Sequence, residues 1–415
     1  MFDLARLGSW TREIRSRQSL PLRVDLWNGQ RYDFSPEPPR VTVRVPQAGA
    51  LRYLLRPSLY NLGKAYVEGA IEVTGRAQDM ISVVNALART SLKPEGRLGR
   101  VVHHLRHTRD KDRKAIAYHY DVSNDFYAAW LDPAMVYSCA YFENGDEDLA
   151  TAQVKKIDHI LAKIRLQPGQ TLLDIGCGWG ALVIRAAQQH GARCVGITLS
   201  ERQLELARER VRQLGLSDRV EIRLEDYRDI RGRFDRVTSV GMFEHVGVAH
   251  LPEYFRRMRD LLADDGLAMN HGITSTDAAG GATPYGGGEF ISEYVFPHGE
   301  LAHLSAVLQA MQQGGLEVRD VENLRRHYAR TCALWTENYE ARAGEIMALT
   351  DARRFRIWHV YLAGCAWAFE NDMISLYQVV CGKAGRPASE HAWSRRYMYG
   401  TVPSGANAAG LSPDR

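Results

Sequence analysis

Asp174-Ile175-Gly176-Cys177-Gly178-Trp179-Gly180 follows an apolar run, Thr171-Leu172-Leu173, and leads into Ala181-Leu182-Val183-Ile184-Arg185-Ala186-Ala187, whose apolar residues recur at helical spacing. Strand, glycine turn and helix in that order are the layout of a nucleotide-type cofactor site. Glycines let backbone N–H groups approach a ligand closely, because no Cβ stands in the way. The spacing is not that of the dinucleotide fingerprint G-x-G-x-x-G. Glycine-rich turns are common, so a purely structural turn is the competing reading. The aspartate, the strand before and the helix after favour the cofactor site.

The same alternation continues on both sides. Strand candidates are 171–175, 194–199, 220–224, 234–240, 267–273, 316–322 and 374–381, with amphipathic helical segments between most of them. Ser200 caps one such helix, which carries Glu201, Arg202 and Glu205 at helical spacing. The pattern predicts an α/β fold with a mainly parallel seven-stranded sheet and helices on both faces, its ligands at the carboxyl ends of the strands. Residues 1–110 read as a smaller, basic α+β unit. Leu22–Trp27 and Val41–Val45 alternate like half-buried strands, Asn28-Gly29 is a turn, and 51–55 and 80–87 are helical. The α/β domain then runs over 111–383. The tail, 384–415, is rich in Gly, Pro, Ser and Ala and is expected to be partly disordered.

Composition bounds the function. An apolar fraction of 45% and a charged fraction of 25% are ordinary for a globular protein. No apolar run is long enough for a transmembrane helix, and the N-terminus lacks the apolar core of a secretion signal. The six cysteines are scattered singly, which points to reduced thiols in the cytoplasm and against a zinc site or a disulfide framework. The net charge of +4 hides an asymmetry: residues 1–115 carry about +10 and the remainder about −6. Basic residues concentrate between Arg97 and Lys114. That stretch reads either as a solvated linker or as a contact for an anionic partner, a phospholipid surface or a nucleic acid. Interleaved Val101, Val102 and Leu105 suit a helix lying on a membrane, and no nucleic-acid motif accompanies the charge. His103, His104 and His107 have no carboxylate or thiol at ligand spacing, so no metal site is expected.

Several strand ends bring polar residues to one edge. The first supplies Gly176, Gly178 and Gly180; the second ends in Thr198-Leu199-Ser200, with Gln203 behind, where an acidic ribose partner is more usual. Asp226-Tyr227 after the third could flank an adenine. Glu244 follows the fourth, and His271 lies at the end of the fifth. Alone, Glu244 reads as a helix-capping acid and His271 as a hydrogen-bonded core histidine. Their joint placement at adjacent strand ends favours a site.

The D-I-G-C-G-W-G stretch resembles motif I of S-adenosylmethionine-dependent methyltransferases, which have a Rossmann-like fold. Further segments resemble the cyclopropane-fatty-acyl-phospholipid synthase family: Tyr118 to Tyr127, Tyr137 to Phe142, Gly196 to Gln203, Gly241 to Gly247, Tyr294-Val295-Phe296-Pro297 and His327 to Thr331. The likeness covers about 115–383. It implies methyl transfer from S-adenosylmethionine to a cis double bond of a phospholipid acyl chain, with a bound bicarbonate taking a proton from that methyl so that the ring closes. By motif match, Cys139, Glu244, His271, Ile273 and Tyr328 would hold the bicarbonate, Cys139 and Ile273 through backbone groups. Tyr137, Ser138, Asp174, Gly176, Gly178, Gly180, Thr198, Leu199, Gln203, Asp226 and Tyr227 would hold the cofactor. Cys365 matches a cysteine sometimes considered catalytic, but it sits in an apolar helical segment where a thiol stays protonated and inert. The first unit resembles the N-terminal domain of the longer bacterial members, and implies docking on anionic membrane and a homodimer.

The residues agree with that chemistry. An alkene is a weak nucleophile, so catalysis must come from alignment with the sulfonium carbon and exclusion of water. Phe243, Phe290, Tyr294, Phe296, Trp335 and Tyr361 are candidates for an aromatic wall around a carbocation, although aromatic residues at such positions are usually core. Glu293 departs from the family, standing where many members carry a basic residue. Two other readings stay open: a methyltransferase that adds a branch or methylates an amine, and a non-catalytic lipid- or nucleic-acid-binding protein on a cofactor fold.

Overall fold

The structure, a computed structural model, describes residues 2–55, 57–91, 122–278, 287–296 and 300–399. The basic stretch 97–114, the segment 118–121, Pro297 and residues 400–415 lie outside the described residues. The chain forms two compact units that do not follow linear order. One draws on 1–130, 275–299 and 328–375, the other on 131–274, 300–327 and 376–415.

In the first unit, β1 (Leu22–Leu26), β2 (Arg31–Asp33), β3 (Val41–Val45) and β4 (Glu72–Thr74) form a sheet in the order β2-β1-β3-β4. The Asn28-Gly29 turn joins the antiparallel pair β1–β2, with Gly29 at φ +83°. Alternate residues Leu22, Val24, Leu26, Val41, Val43 and Val45 enter one core with Leu51, Leu54 and Leu62 from the helices that follow. The long helices Arg325–Ala341 and Ala352–Glu370, read from sequence as part of the α/β domain, lie mostly within this unit. A buried aromatic cluster joins Phe126, Trp130, Trp335, Tyr339 and Trp358, with ring centroids 5.1–6.3 Å apart.

The second unit is built on β5 (Thr171–Ile175), β6 (Arg193–Thr198), β7 (Val220–Leu224), β8 (Phe234–Val240), β9 (Leu262–Ser275), β10 (Leu316–Asn323) and β11 (Ile374–Lys383). Their order is β10-β11-β9-β8-β5-β6-β7. The pairs β5–β6, β6–β7, β5–β8 and β8–β9 are parallel, and β10–β11 is antiparallel. Both faces are buried. Leu172, Cys194, Met269 and Val380 enter one core layer, and their neighbours Leu173, Val195, Ala268 and Val379 enter the other. This is why these strands read as continuous apolar runs.

Most strand ends fall within two residues of the sequence reading, and two departures are larger. β9 begins at Leu262, five residues early, because the β8 partner shifts from Leu262 to Leu267 across a bulge containing Asp264-Asp265-Gly266. Part of the tail is ordered: Met398 is buried on the short helix Arg396–Tyr399, and Arg395 pairs with Asp320.

Candidate active site

The glycine turn is fixed by backbone geometry. Gly176, Gly178 and Gly180 have φ of +80°, +54° and +85°, where any Cβ is strained. The N–H groups of Gly176 and Cys177 both donate to the Ile197 carbonyl, at 3.0 and 2.9 Å, which ties the turn to β6. A Cβ on Gly178 would meet nothing within 4 Å, so the turn is open above that residue. The neighbouring turn after β8 abuts it, since a Cβ on Gly176 would lie 3.3 Å from the Met242 side chain.

The expected cofactor residues fall into distinct roles. Thr198 Oγ1 donates to Gln203 Oε1 at 2.8 Å, a buried pair at the end of β6 that stands where an acidic residue is more usual. Leu199 beside it is half-buried. Tyr137, Ser138 and Cys139 lie in the loop before the helix Leu149–Lys163. The Ser138 hydroxyl accepts from Lys156 Nζ at 2.8 Å, and its carbonyl accepts from Gln153 Nε2 at 2.8 Å. Asp174 is held inside the sheet: Thr238 donates to its Oδ1 at 2.7 Å, and burial pushes its carboxyl up to about 6, the Thr238 bond acting the other way. The Asp226 carboxylate accepts from both the backbone and the guanidinium of Arg228, at 2.6–2.9 Å. Tyr227 packs edge-on against Tyr254, with centroids 5.1 Å apart.

Glu244 and His271 stand at the ends of the neighbouring strands β8 and β9. Glu244 sits on a 3-10 turn, Phe243–His245, directly after β8. Its Oε1 accepts the Ile273 N–H at 2.7 Å, so Ile273 acts through its backbone on Glu244 itself. Oε2 is buried and has no partner among the described residues. Burial pushes this carboxyl up to about 7, only partly offset by the Ile273 bond. His271, 1% exposed, pairs with Val240 across β8–β9, and its carbonyl accepts the Gly241 N–H at 2.8 Å. Its Nδ1 meets Gln378 Nε2 at 3.1 Å, while Nε2 is buried without a partner among the described residues. Burial, then Lys156 and Lys163, hold this histidine well below its usual range. Between the pair, Gly272 leaves room for the Phe243 ring, which a Cβ would overlap at 1.8 Å. Phe243 is thereby committed to packing. Asn270 Oδ1 and Thr274 Oγ1, on the same strand, are also buried without partners among the described residues.

The other expected residues have contacts of their own. The Cys139 thiol is fully buried and donates to Ala140 O at 3.2 Å and Leu324 O at 3.8 Å. Tyr328 belongs to the first unit, stacked on Phe369 at 4.5 Å and edge-on to Trp335 at 5.9 Å. Cys365 lies on the helix Ala352–Glu370 of that unit, its thiol pushed up to about 12 by burial. Of the other wall candidates, Phe290 packs on Tyr294 and Phe296 on Tyr361. Glu293 accepts from Tyr60 and from Lys64, the latter at 3.1 Å. All six cysteines are free, and no group of three or more potential ligands is arranged for a metal among the described residues.

Sequence reasoning missed Lys156, Lys163 and Gln378. All three are buried, and burial lowers the Lys156 ammonium to about 8. A signal was present: Lys156 and Lys163 are seven apart on the stripe of Leu149, Ala152, Ile157 and Ile160, where a solvent-facing lysine has no place.

The strand order and the glycine turn after β5 define a class I S-adenosylmethionine-dependent methyltransferase. A family profile described as Mycolic acid cyclopropane synthetase matches residues 107–379, and a domain of unknown function matches 9–95. The chain belongs to the mycolic acid cyclopropane synthetase family. It is 45% identical over 383 residues to a "Probable fatty acid methyltransferase" of Pseudomonas putida, covering 92% of this chain and 96% of that one. It is 33% identical over 351 residues to the Escherichia coli cyclopropane-fatty-acyl-phospholipid synthase, covering 81% and 87%. The solved mycolic acid cyclopropane synthase complexed with SAH and CTAB superposes with a TM-score of 0.62 at 35% identity, over 65% of this chain and 98% of that one. The protein is therefore an enzyme, and the non-catalytic readings fall.

Proposed function

We propose that this enzyme adds a methylene bridge to the cis double bond of a phospholipid acyl chain, using S-adenosylmethionine as donor and bicarbonate as base. When bound, S-adenosylmethionine supplies an electrophilic methyl on a sulfonium, and bicarbonate supplies an oxyanion that takes up a proton. The reading rests above all on the two orphaned polar atoms, Glu244 Oε2 and His271 Nε2, buried at adjacent strand ends. Buried polar atoms are almost always paired, so two orphans together mark a ligand position.

The residues fit an anion. Glu244 Oε1 is occupied by the Ile273 N–H, so the proton that its raised affinity retains near neutrality belongs on Oε2, which then donates. A neutral Glu244 and an uncharged histidine can hold an oxyanion without a buried like charge. The open glycine turn and the Thr198–Gln203 pair fit the donor's amino-acid and ribose ends. The sheet edge aligns the reactants, and the surrounding buried residues exclude water, which matters because the alkene has no acidic proton of its own.

A second reading has a specific support: the Pseudomonas putida relative is named a fatty acid methyltransferase. The product would then be a methyl branch. Trideuteromethyl S-adenosylmethionine separates the two with vesicles of monounsaturated phospholipid. Ring closure leaves two deuteriums and no double bond; branching leaves an alkene, either a methyl branch with all three deuteriums where a chain carbon loses the proton or a methylene branch with two where the transferred methyl loses it. A product keeping all three removes the cyclopropane reading.

Unpaired cysteines support a cytoplasmic location, the basic charge of residues 1–115 supports peripheral binding to anionic lipid, and the family resemblance of the first unit supports a homodimer. No described helix is long and apolar enough to cross a membrane. Vesicle cosedimentation should fall as salt rises from 50 to 500 mM (about a threefold shortening of the Debye length). Salt-independent binding removes the docking assignment.

A further inference from the structure

We infer that Gln378 and Lys163 are positioning residues that fix His271 as its Nε2–H tautomer, so that this histidine offers the site a hydrogen-bond donor and not a base. The inference deepens the proposed anion site and rests on it. Lys163 ends the helix Leu149–Lys163, and Gln378 lies on β11, next to β9 in the sheet. Both are fully buried. Lys163 Nζ donates to Gln378 Oε1 at 2.8 Å, and Gln378 Nε2 meets His271 Nδ1 at 3.1 Å.

Donor chemistry settles the direction of this chain. An ammonium only donates, so the face of Gln378 turned to Lys163 must be its carbonyl oxygen. The amide NH2 is then turned to His271, and an NH2 also only donates. Nδ1 must therefore carry the lone pair. A neutral imidazole with a bare Nδ1 holds its proton on Nε2, the atom left without a partner. The imidazolium is excluded by the same contact, since a protonated Nδ1 would face the NH2, and Lys156 and Lys163 also oppose the charge.

Lys163 is itself held in place. It pairs with Glu322, which also pairs with His159 Nε2 at 2.8 Å, and Asp320 lies 3.9 Å away. Despite burial, His159 and Lys163 hold the Glu322 carboxyl down at about 2. The ammonium thus has a permanent counter-charge and no freedom to turn from Gln378. A histidine donating through Nε2 cannot accept the proton lost from the transferred methyl, so the base must be another group in the site.

The test uses the full-length protein labelled with 15N-histidine. His271 is identified by the signals missing from a His271→Gln variant. In the wild type at neutral pH, Nδ1 should show a pyridine-type and Nε2 a pyrrole-type nitrogen shift. Gln378→Glu keeps a partner for Lys163 but puts an acceptor beside Nδ1; it should move the proton to Nδ1 or charge the ring. Turnover should then fall at least about tenfold, with S-adenosylmethionine affinity within about twofold. Lys163→Met should give a mixture of tautomers. A pyrrole-type Nδ1 in the wild type, an unmoved tautomer in Gln378→Glu, or a moved tautomer with full turnover each overturns the inference. The spectrum is read without turnover, so a failure of the bicarbonate reading alone is separately visible.

Discussion

Two buried histidines, one in each unit, show how a packing residue differs from a site residue. His359 in the first unit is satisfied at both nitrogens: Nδ1 meets the Tyr66 hydroxyl at 3.1 Å, and Nε2 meets Glu340 Oε1 at 2.9 Å. Glu340 also accepts the Ala77 N–H at 2.7 Å, so this network ties four helices together. His271 in the second unit is satisfied at one nitrogen only. Both are about equally buried, at 5% and 1% exposure. Burial therefore does not separate architecture from function; unfinished hydrogen bonding does.

That contrast can be broken most directly at the site. Glu244→Ala removes both the acceptor for the Ile273 N–H and the donor on Oε2, so turnover should drop about 10³-fold while S-adenosylmethionine affinity stays within about twofold. Isothermal titration and a vesicle methylation assay read the two arms. His271→Gln should lower turnover about 10²-fold with little change in stability. His359→Gln should do the reverse, costing about 1–3 kcal/mol of stability by denaturant melt with turnover nearly unchanged. If the two histidine variants behave alike, the distinction fails.

A pH series sharpens it. The folded Glu244 carboxyl titrates near 7, above its ordinary value of 4.5, so the folded state binds this proton more tightly than the unfolded chain. The associated stability is fully present below the unfolded value and is lost as pH rises to about 7. Glu244→Gln removes that loss, so its stability relative to wild type should rise between pH 5 and 8 by up to about 3 kcal/mol. A flat difference would place the carboxyl in water. Gly178→Ala should cost about 1 kcal/mol, from its φ of +54° alone, and weaken S-adenosylmethionine binding more than stability, because the space above it is open. The smallest effect belongs to Cys365→Ser, where turnover within about twofold of wild type is expected for a thiol pushed up to about 12.

Much of the second unit was legible because its strands are short apolar runs between turn residues. Thr171–Ile175, Val220–Leu224 and Phe234–Val240 fall where the pattern puts them. Glu244 and His271 were legible because the order of a parallel sheet brings the ends of β8 and β9 together. The Lys163–Gln378–His271 chain was not, since its members are up to 215 residues apart and a buried lysine looks like any lysine in sequence. Nor was the turning of Asp174 into Thr238, which depends on strand register. Helix 352–370 reads as part of the α/β domain by position, and only its packing places it in the first unit.

Bicarbonate dependence tests the central claim most directly. Purified enzyme is assayed on unsaturated phospholipid vesicles in carbon-dioxide-free buffer, with bicarbonate added back. Turnover should be low in stripped buffer and rise to saturation with bicarbonate in the wild type, with no such rise in Glu244→Ala. Full wild-type turnover without bicarbonate would mean that the orphaned atoms of Glu244 and His271 hold no such base.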